Sequence, residues 1–105
     1  MSNRTDRKRG ISVNLQQLQT FQVVAATGSF TRAAAELGYS QSNVTHQVKT
    51  LEDKLGFALL NRYRFSRRVV LTEAGRRALD YSERILALAQ GMLSKESLSK
   101  ETSGS

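Results

Sequence analysis

The stretch "YSQSNVTHQVKTLEDKLG", residues 39–56, contains the most informative pattern in the sequence. Within it, apolar side chains recur at i, i+4, i+7 and i+11, the spacing of one face of an α-helix: Val44, Val48, Leu51 and Leu55. The other side chains of the first two turns are short donors and acceptors rather than the usual Glu/Lys mixture of a solvated face. The pattern predicts a helix with a buried stripe and an unusual polar side.

The side of this helix opposite the apolar stripe has the chemistry of a surface that reads hydrogen-bonding edges. An α-helix fits the DNA major groove, and its N-terminal turns meet the base edges. Gln can bond adenine through N6 and N7, and the Thr methyl group can pack on a thymine methyl group. We expect base contacts from Gln41, Ser42, Thr45 and His46, and a phosphate contact from Lys49. An ordinary solvent-facing helix is the alternative, and a solvated side chain without a special role is the alternative for His46.

Composition bounds the remaining possibilities. The chain has 105 residues, 16 Lys+Arg against 9 Asp+Glu, and a formal net charge of +7, so a polyanion is the natural partner. Cysteine is absent and histidine occurs once, which excludes thiolate sites and His clusters for metal; we expect no cofactor. No apolar run approaches the ~18 residues of a membrane span. We expect a cytoplasmic protein without a membrane partner, associated with the nucleoid when bound to DNA.

The positive charge is clustered. Four arginines crowd into seven residues: Arg62, Arg64, Arg67 and Arg68. They lie in "NRYR" and "RRVVL", which we interpret as two short strands with Phe65 and Ser66 near the turn. Because such a cluster repels itself unless an anion lies nearby, we interpret it as a wing that reaches the DNA backbone or a minor groove. A solvated turn is the alternative. For the basic N-terminal tail, a solubilising role is favoured over a DNA arm.

Capping signals divide the chain before this wing into three helices. Asn14 is a candidate N-cap, with Gln17 placed as its capping-box partner. Gly28 should end the first helix, and Ser29 should cap the second. Gly38 stops that helix, and Ser40 caps the third, which gives a helix-turn-helix. Apolar faces follow in each: Leu15, Leu18, Phe21 and Ala25 in the first, and Phe30, Ala33, Ala34 and Leu37 in the second.

A long helix should begin after Thr72, with Glu73 at its positive end. It carries an a/d-type seam at spacings of 3, 4, 3 and 4: Ala78, Tyr81, Ile85, Leu88 and Met92. A second stripe recurs at period seven, formed by Leu79, Leu86 and Leu93. Two stripes exceed what one small core needs, so we expect the seam to pair two subunits.

The pieces "GSFTRAAAELGYSQS", "LEDKLGFALLNR" and "LTEAG", in this order and spacing, resemble the N-terminal DNA-binding domain of LysR-type transcriptional regulators. The resemblance covers about Asn14 to Leu93. It implies a winged helix-turn-helix followed by a linker helix that pairs subunits, and recognition of an interrupted promoter dyad anchored by T and A, by a dimer or tetramer. It also assigns base contacts to Gln41, Ser42, Thr45 and His46. Residues such as Ser40, Arg62 and Thr72 resemble positions used for phosphate contacts or caps, and we add Arg32 to the phosphate candidates.

Three departures from the family pattern concern the recognition residues. Ser42 stands where proline is common, and the chain contains no proline at all. His46 stands where arginine is frequent, so a strong guanine contact is missing. The stretch "RYRFSRRVVLT" is about two residues longer than the usual wing, which leaves open which of Arg64, Arg67 and Arg68 enters a groove.

Together these features predict a mainly α fold: three helices and a short β-hairpin wing in residues 14–72, and a dimerisation helix in residues 73–95. Residues 1–13 and 96–105 are expected to be a basic disordered tail and a flexible tail. We expect an isolated, sequence-specific double-stranded DNA-binding domain without an effector domain, and not an enzyme. A protein–protein module using the last helix, and a different winged-helix regulator family, are the alternatives. The operator, the target genes, the effector and the sign of regulation are not encoded in these patterns.

Overall fold

The computed structural model of the protein describes residues 13–62 and 68–94. Along the chain lie α1 (Leu15–Thr27), α2 (Phe30–Leu37), α3 (Gln41–Leu55), β1 (Leu60–Arg62), β2 (Val69–Leu71) and α4 (Glu73–Leu93). Three helices, a two-stranded hairpin and a long fourth helix are the order expected of a winged helix-turn-helix with a linker helix. The expected tails lie almost entirely outside the described residues, as do Arg64, Arg67 and the hairpin turn at Phe65 and Ser66.

The helix boundaries form through the predicted caps. Asn14 and Gln17 make the full capping box of α1, and Ser29, Ser40 and Thr72 accept hydrogen bonds from the first turns of α2, α3 and α4. The helix-turn-helix also depends on two left-handed residues, Gly28 (φ 70°) and Gly38 (φ 73°), which end α1 and α2. Glycine adopts this conformation without the steric cost that a Cβ atom adds.

The core lies where α1, α2, α3 and the base of the wing meet. Its buried apolar residues are Leu18, Phe21, Val24, Ala33, Ala34, Val44, Val48, Leu51, Leu59 and Leu60. The small side chains of Ala33 and Ala34 let α2 approach its neighbours closely. Helix α3 contributes the predicted apolar stripe, of which Val44, Val48 and Leu51 are buried. The stripe fixes which side of α3 faces solvent.

The first helix turns a different face inward from the one expected. Leu15 is 48% exposed, whereas Gln17 and Thr20 are buried together with Leu18 and Phe21. Leu15 begins the helix and lies more than 100° around it from the centre of this buried face. Apolar spacing alone identified Leu18 and Phe21 and missed the two polar residues.

The wing is an antiparallel pair with Leu60 opposite Leu71 and Arg62 opposite Val69. The amide of Val69 donates to the carbonyl of Gly28 at 3.0 Å, which joins the second strand to the turn between α1 and α2. Buried Glu52, near the end of α3, accepts hydrogen bonds from the amides of Leu59 (2.7 Å) and Leu60 (3.2 Å). The wing is thus tied to the turn between α1 and α2 and to the end of α3.

The fourth helix has two different apolar sides. Leu79 and Leu86 pack against the core, and Ala78 from the predicted seam joins them. The rest of that seam faces solvent, with exposed fractions of 62% for Tyr81, 42% for Ile85 and 76% for Leu88. The second stripe therefore belongs to this domain's own core as far as Leu86, and the seam is left uncovered beyond Ala78.

Candidate nucleic-acid interface

The four predicted base-reading residues come together on one surface. Gln41, Ser42, Thr45 and His46 are all exposed and line a single open concavity of about 490 Å³ on α3. They occupy the first two turns of the helix, opposite the buried stripe. We call this surface the reading face, and it consists of these four residues.

The backbone of α3 is held firmly behind the reading face. Val44, Val48 and Leu51 are fully buried, so the helix cannot rotate without exposing its stripe. The hydroxyl of Ser40 accepts a hydrogen bond from the amide of Asn43 at 3.1 Å and fixes the first turn. The polar side chains are thereby presented to solvent on a rigid element.

Side-chain hydrogen bonds connect both flanks of α3 to the other helices. On the α2 side, the hydroxyl of Thr31 donates to Oε1 of Gln41 at 3.3 Å. On the α1 side, the hydroxyl of Thr20 donates to Oε1 of Gln47 at 3.0 Å, and Nε2 of Gln47 donates to Oδ1 of Asn43 at 3.1 Å. Apart from Gln41, these partners were not predicted from the sequence; a polar residue at a buried helical position, as at Thr20, was the available signal.

The phosphate candidates are spread around the reading face. Arg32 on α2 and Lys49 on α3 have exposed side chains, and exposed Arg68 precedes the second strand. Arg62 ends the first strand. Ser40 and Thr72 have capping roles, and the hydroxyl of Thr72 also donates to the carbonyl of Ala58 at 2.8 Å. Arg64 and Arg67 lie outside the described residues.

An apolar groove lies on the other side of the domain, between the start of α1, the end of α3 and α4. Its volume is about 470 Å³, and Leu55, Phe57, Tyr81 and Ile85 are among the side chains that line it. Because Tyr81 and Ile85 also belong to the exposed seam of α4, groove and seam form one continuous apolar surface. Monomeric proteins seldom leave such surfaces uncovered.

Within residues 13–62 and 68–94, no group of three His, Cys, Asp or Glu side chains could hold a metal ion. No helix in this part of the chain combines the length and the apolar character needed to cross a membrane.

Comparison with known proteins places the fold in a family. The family model described as "Bacterial regulatory helix-turn-helix protein, lysR family" matches residues 15–76. A probable RuBisCO transcriptional regulator of Thalassiosira pseudonana is 51% identical over 76 residues, which cover 72% of this chain and 24% of that protein. The RuBisCO operon transcriptional regulator of Allochromatium vinosum is 49% identical over 73 residues, 70% of this chain and 24% of the relative. The chain thus spans about a quarter of the length of these curated relatives.

Solved structures give the same result. The BenM_DBD/benA site 1 DNA complex has a TM-score of 0.74 at 32% identity, covering 85% of this chain and 98% of that chain. The CbnR_DBD–DNA complex has a TM-score of 0.69 at 40% identity, covering 73% and 86%. The family and these relatives are transcriptional regulators rather than enzymes. Because the family model matches residues 15–76, more than half of the chain, the chain belongs to the lysR family of bacterial regulatory helix-turn-helix proteins.

Proposed function

We propose that the chain binds double-stranded promoter DNA sequence-specifically as a homodimer and acts in transcriptional regulation. The observation that carries the proposal is the reading face, in which four exposed polar residues at the start of α3 line one concavity. The two similar solved structures described above are complexes with DNA, which supports DNA as the partner.

In this proposal, the first two turns of α3 enter the major groove. Gln41 bonds an adenine edge, Ser42 and Thr45 bond or pack on neighbouring bases, and His46 contacts the base that an arginine would otherwise reach. Each good bidentate contact provides about 1–3 kcal/mol of discrimination against the wrong base. The reading face therefore supplies specificity.

Phosphate contacts provide most of the affinity and its dependence on salt. Among the cationic candidates, Arg32 lies on α2, Lys49 on α3, and Arg62 and Arg68 at the wing. Arg64 and Arg67, outside the described residues, are candidates from the sequence alone. Ser40 and Thr72 contribute through the helix termini that they cap, where backbone amides favour an anion. The wing arginines reach the backbone or the adjacent minor groove.

The homodimer forms through α4. Tyr81, Ile85, Leu88 and Met92 are exposed at helical spacing, and the adjoining groove extends this apolar surface. Pairing two such surfaces removes them from water, which is favourable at about 25 cal/mol per Å² of apolar area. Ala78 supports the base of the seam while packing on its own core.

The test is selection of bound duplexes from a random pool at near-physiological salt, followed by sequencing. We expect enrichment of an interrupted dyad, because a two-fold symmetric dimer places two reading faces on half-sites of the same sequence. Binding without enrichment would contradict sequence-specific recognition. That result would favour a protein–protein module built on the apolar surface of α4.

A further inference from the structure

A chain of hydrogen bonds connects the core to the exposed first turn of α3. It begins at Thr20 on α1, which is fully buried, and passes through the amide of Gln47. It ends at Oδ1 of Asn43, whose side chain is exposed. The two bonds measure 3.0 and 3.1 Å, both within the ordinary range of protein hydrogen bonds.

These two hydrogen bonds set the direction in which the side-chain amide of Asn43 points. A side-chain amide has one accepting oxygen and one donating NH₂ group. The hydroxyl of Thr20 donates to the oxygen of Gln47, so the NH₂ group of Gln47 is turned toward Asn43 and occupies its oxygen. The NH₂ group of Asn43 is left as the outward end, and it has no hydrogen-bond partner within residues 13–62 and 68–94.

The position of Asn43 relates this outward donor to DNA. At 3.6 residues per turn, Asn43 lies about 100° around the helix from Ser42 of the reading face. It therefore lies on the flank of α3 that faces α1, not at the centre of the reading face. When a helix lies in the major groove, its flanks face the groove walls, where phosphate oxygens accept hydrogen bonds from Asn side chains and other donors.

We propose that Asn43 donates a hydrogen bond to a DNA phosphate, and that Thr20 and Gln47 are positioning residues that hold its NH₂ group outward. The inference rests on the proposed function, and it adds a contact residue that the sequence patterns did not single out. The opposite flank has the same polarity, since Thr31 donates to the oxygen of Gln41 and leaves that amide's NH₂ group outward.

A purely structural role for Thr20 makes a different prediction. In that case its hydroxyl only satisfies buried polar groups, and its removal changes the stability of the domain without changing DNA affinity in the folded protein. The two roles are separated by asking whether the effect of Thr20 on DNA binding depends on Asn43.

The experiment is a double-mutant cycle on DNA affinity, measured by fluorescence anisotropy at one fixed salt concentration. The duplexes are the sequence selected from the random pool and a scrambled version of it. The variants are Thr20→Val, Asn43→Ala and the double variant, with Thr20→Ser as the control that keeps the hydroxyl. A second double-mutant cycle combines Gln47→Met with Asn43→Ala and tests the residue between Thr20 and Asn43. It replaces the first cycle if Thr20→Val does not fold.

We expect Asn43→Ala to weaken binding to both duplexes about three- to tenfold, the effect of one hydrogen bond. Thr20→Val should weaken binding about two- to fivefold in the wild-type background and less than about 1.5-fold beside Asn43→Ala, while Thr20→Ser stays near wild type. Gln47→Met should show the same dependence on Asn43.

Additive effects in both cycles would overturn the positioning role, and a loss at the selected duplex alone would overturn the phosphate contact. A wild-type protein that prefers neither duplex would instead contradict the proposed function, and this inference with it. If the wild type prefers the selected duplex but the effects of the substitutions are additive, the inference fails while the proposed function stands.

Discussion

At the scale of single residues, Glu52 joins the end of α3 to the start of the wing. Its carboxylate is buried and accepts from two consecutive backbone amides, those of Leu59 and Leu60. Buried amides that lose their acceptor cost about 1–3 kcal/mol each. This one side chain therefore holds the wing in place relative to the reading face.

Replacement of Glu52 should destabilise the domain strongly. We expect Glu52→Ala to lower the free energy of unfolding by about 2–4 kcal/mol, because both amides lose their partner. Glu52→Gln keeps one accepting oxygen and should lose less. Urea denaturation followed by circular dichroism, at equal protein concentrations, measures the effect. The matched control is Asp53→Ala at the exposed neighbouring position, which should stay within about 0.5 kcal/mol of wild type. Equal stability of Glu52→Ala and Asp53→Ala would refute the role.

At the scale of elements, the first turn of α4 lies unusually close to the segment before the wing. A Cβ atom on buried Gly75 would clash with the carbonyl oxygen of Leu59 and come within 3.2 Å of the Leu71 side chain. The same carbonyl accepts from the amide of Thr72 at 3.0 Å, so it is not free to move away. This close approach gives a physical reason for the glycine in "LTEAG".

Two glycine substitutions in α4 should have opposite effects. Gly75→Ala should destabilise the domain by about 2–3 kcal/mol through overpacking. Gly91→Ala is the control, because nothing lies within 4 Å of its added Cβ atom, and it should stabilise the helix by up to about 1 kcal/mol. Thermal or urea unfolding distinguishes them. A stabilising Gly75→Ala would show that the first turn of α4 is not packed as described.

The elements also show what could be predicted from the sequence. Caps and helix ends were predictable because Asn14, Ser29 and Gly28 act through local backbone geometry. The reading face was predictable from one helical period. The buried polar residues Thr20 and Glu52 were not, because their partners lie 27 and seven residues away and depend on tertiary packing. The exposure of Leu15 was missed for the same reason.

At the scale of the whole molecule, the uncovered seam and groove of α4 are the surface through which we propose that two copies associate. The seam is exposed in the single chain, so charges placed there should prevent pairing without unfolding the domain. We expect the double variant Ile85→Lys and Leu88→Lys to be a folded monomer where the wild type is a dimer, as measured by sedimentation velocity. The control, Ala87→Lys with Gln90→Lys, adds the same two charges at exposed positions of α4 away from the seam. A persistent dimer in the seam variant would place the interface elsewhere.

Dimerisation and DNA recognition are connected at this scale. Each monomer carries one reading face. We therefore expect a monomeric variant to contact only one half-site at a time and to bind the selected duplex much more weakly. The net charge of +7 rises by two, to +9, in both double variants, so nonspecific attraction to DNA should persist. In the proposed dimer, we therefore expect pairing to contribute to specificity more than to attraction.

If the reading face distinguishes bases as proposed, removal of the Gln41 side chain should change which bases the protein discriminates. The measurement compares wild type and Gln41→Ala on the selected duplex and on duplexes with each base pair replaced in turn, at one salt concentration. We predict that Gln41→Ala loses about 1–3 kcal/mol of discrimination at one position of each half-site and keeps it elsewhere. Unchanged discrimination at every position would contradict the claim and remove Gln41 from the reading face.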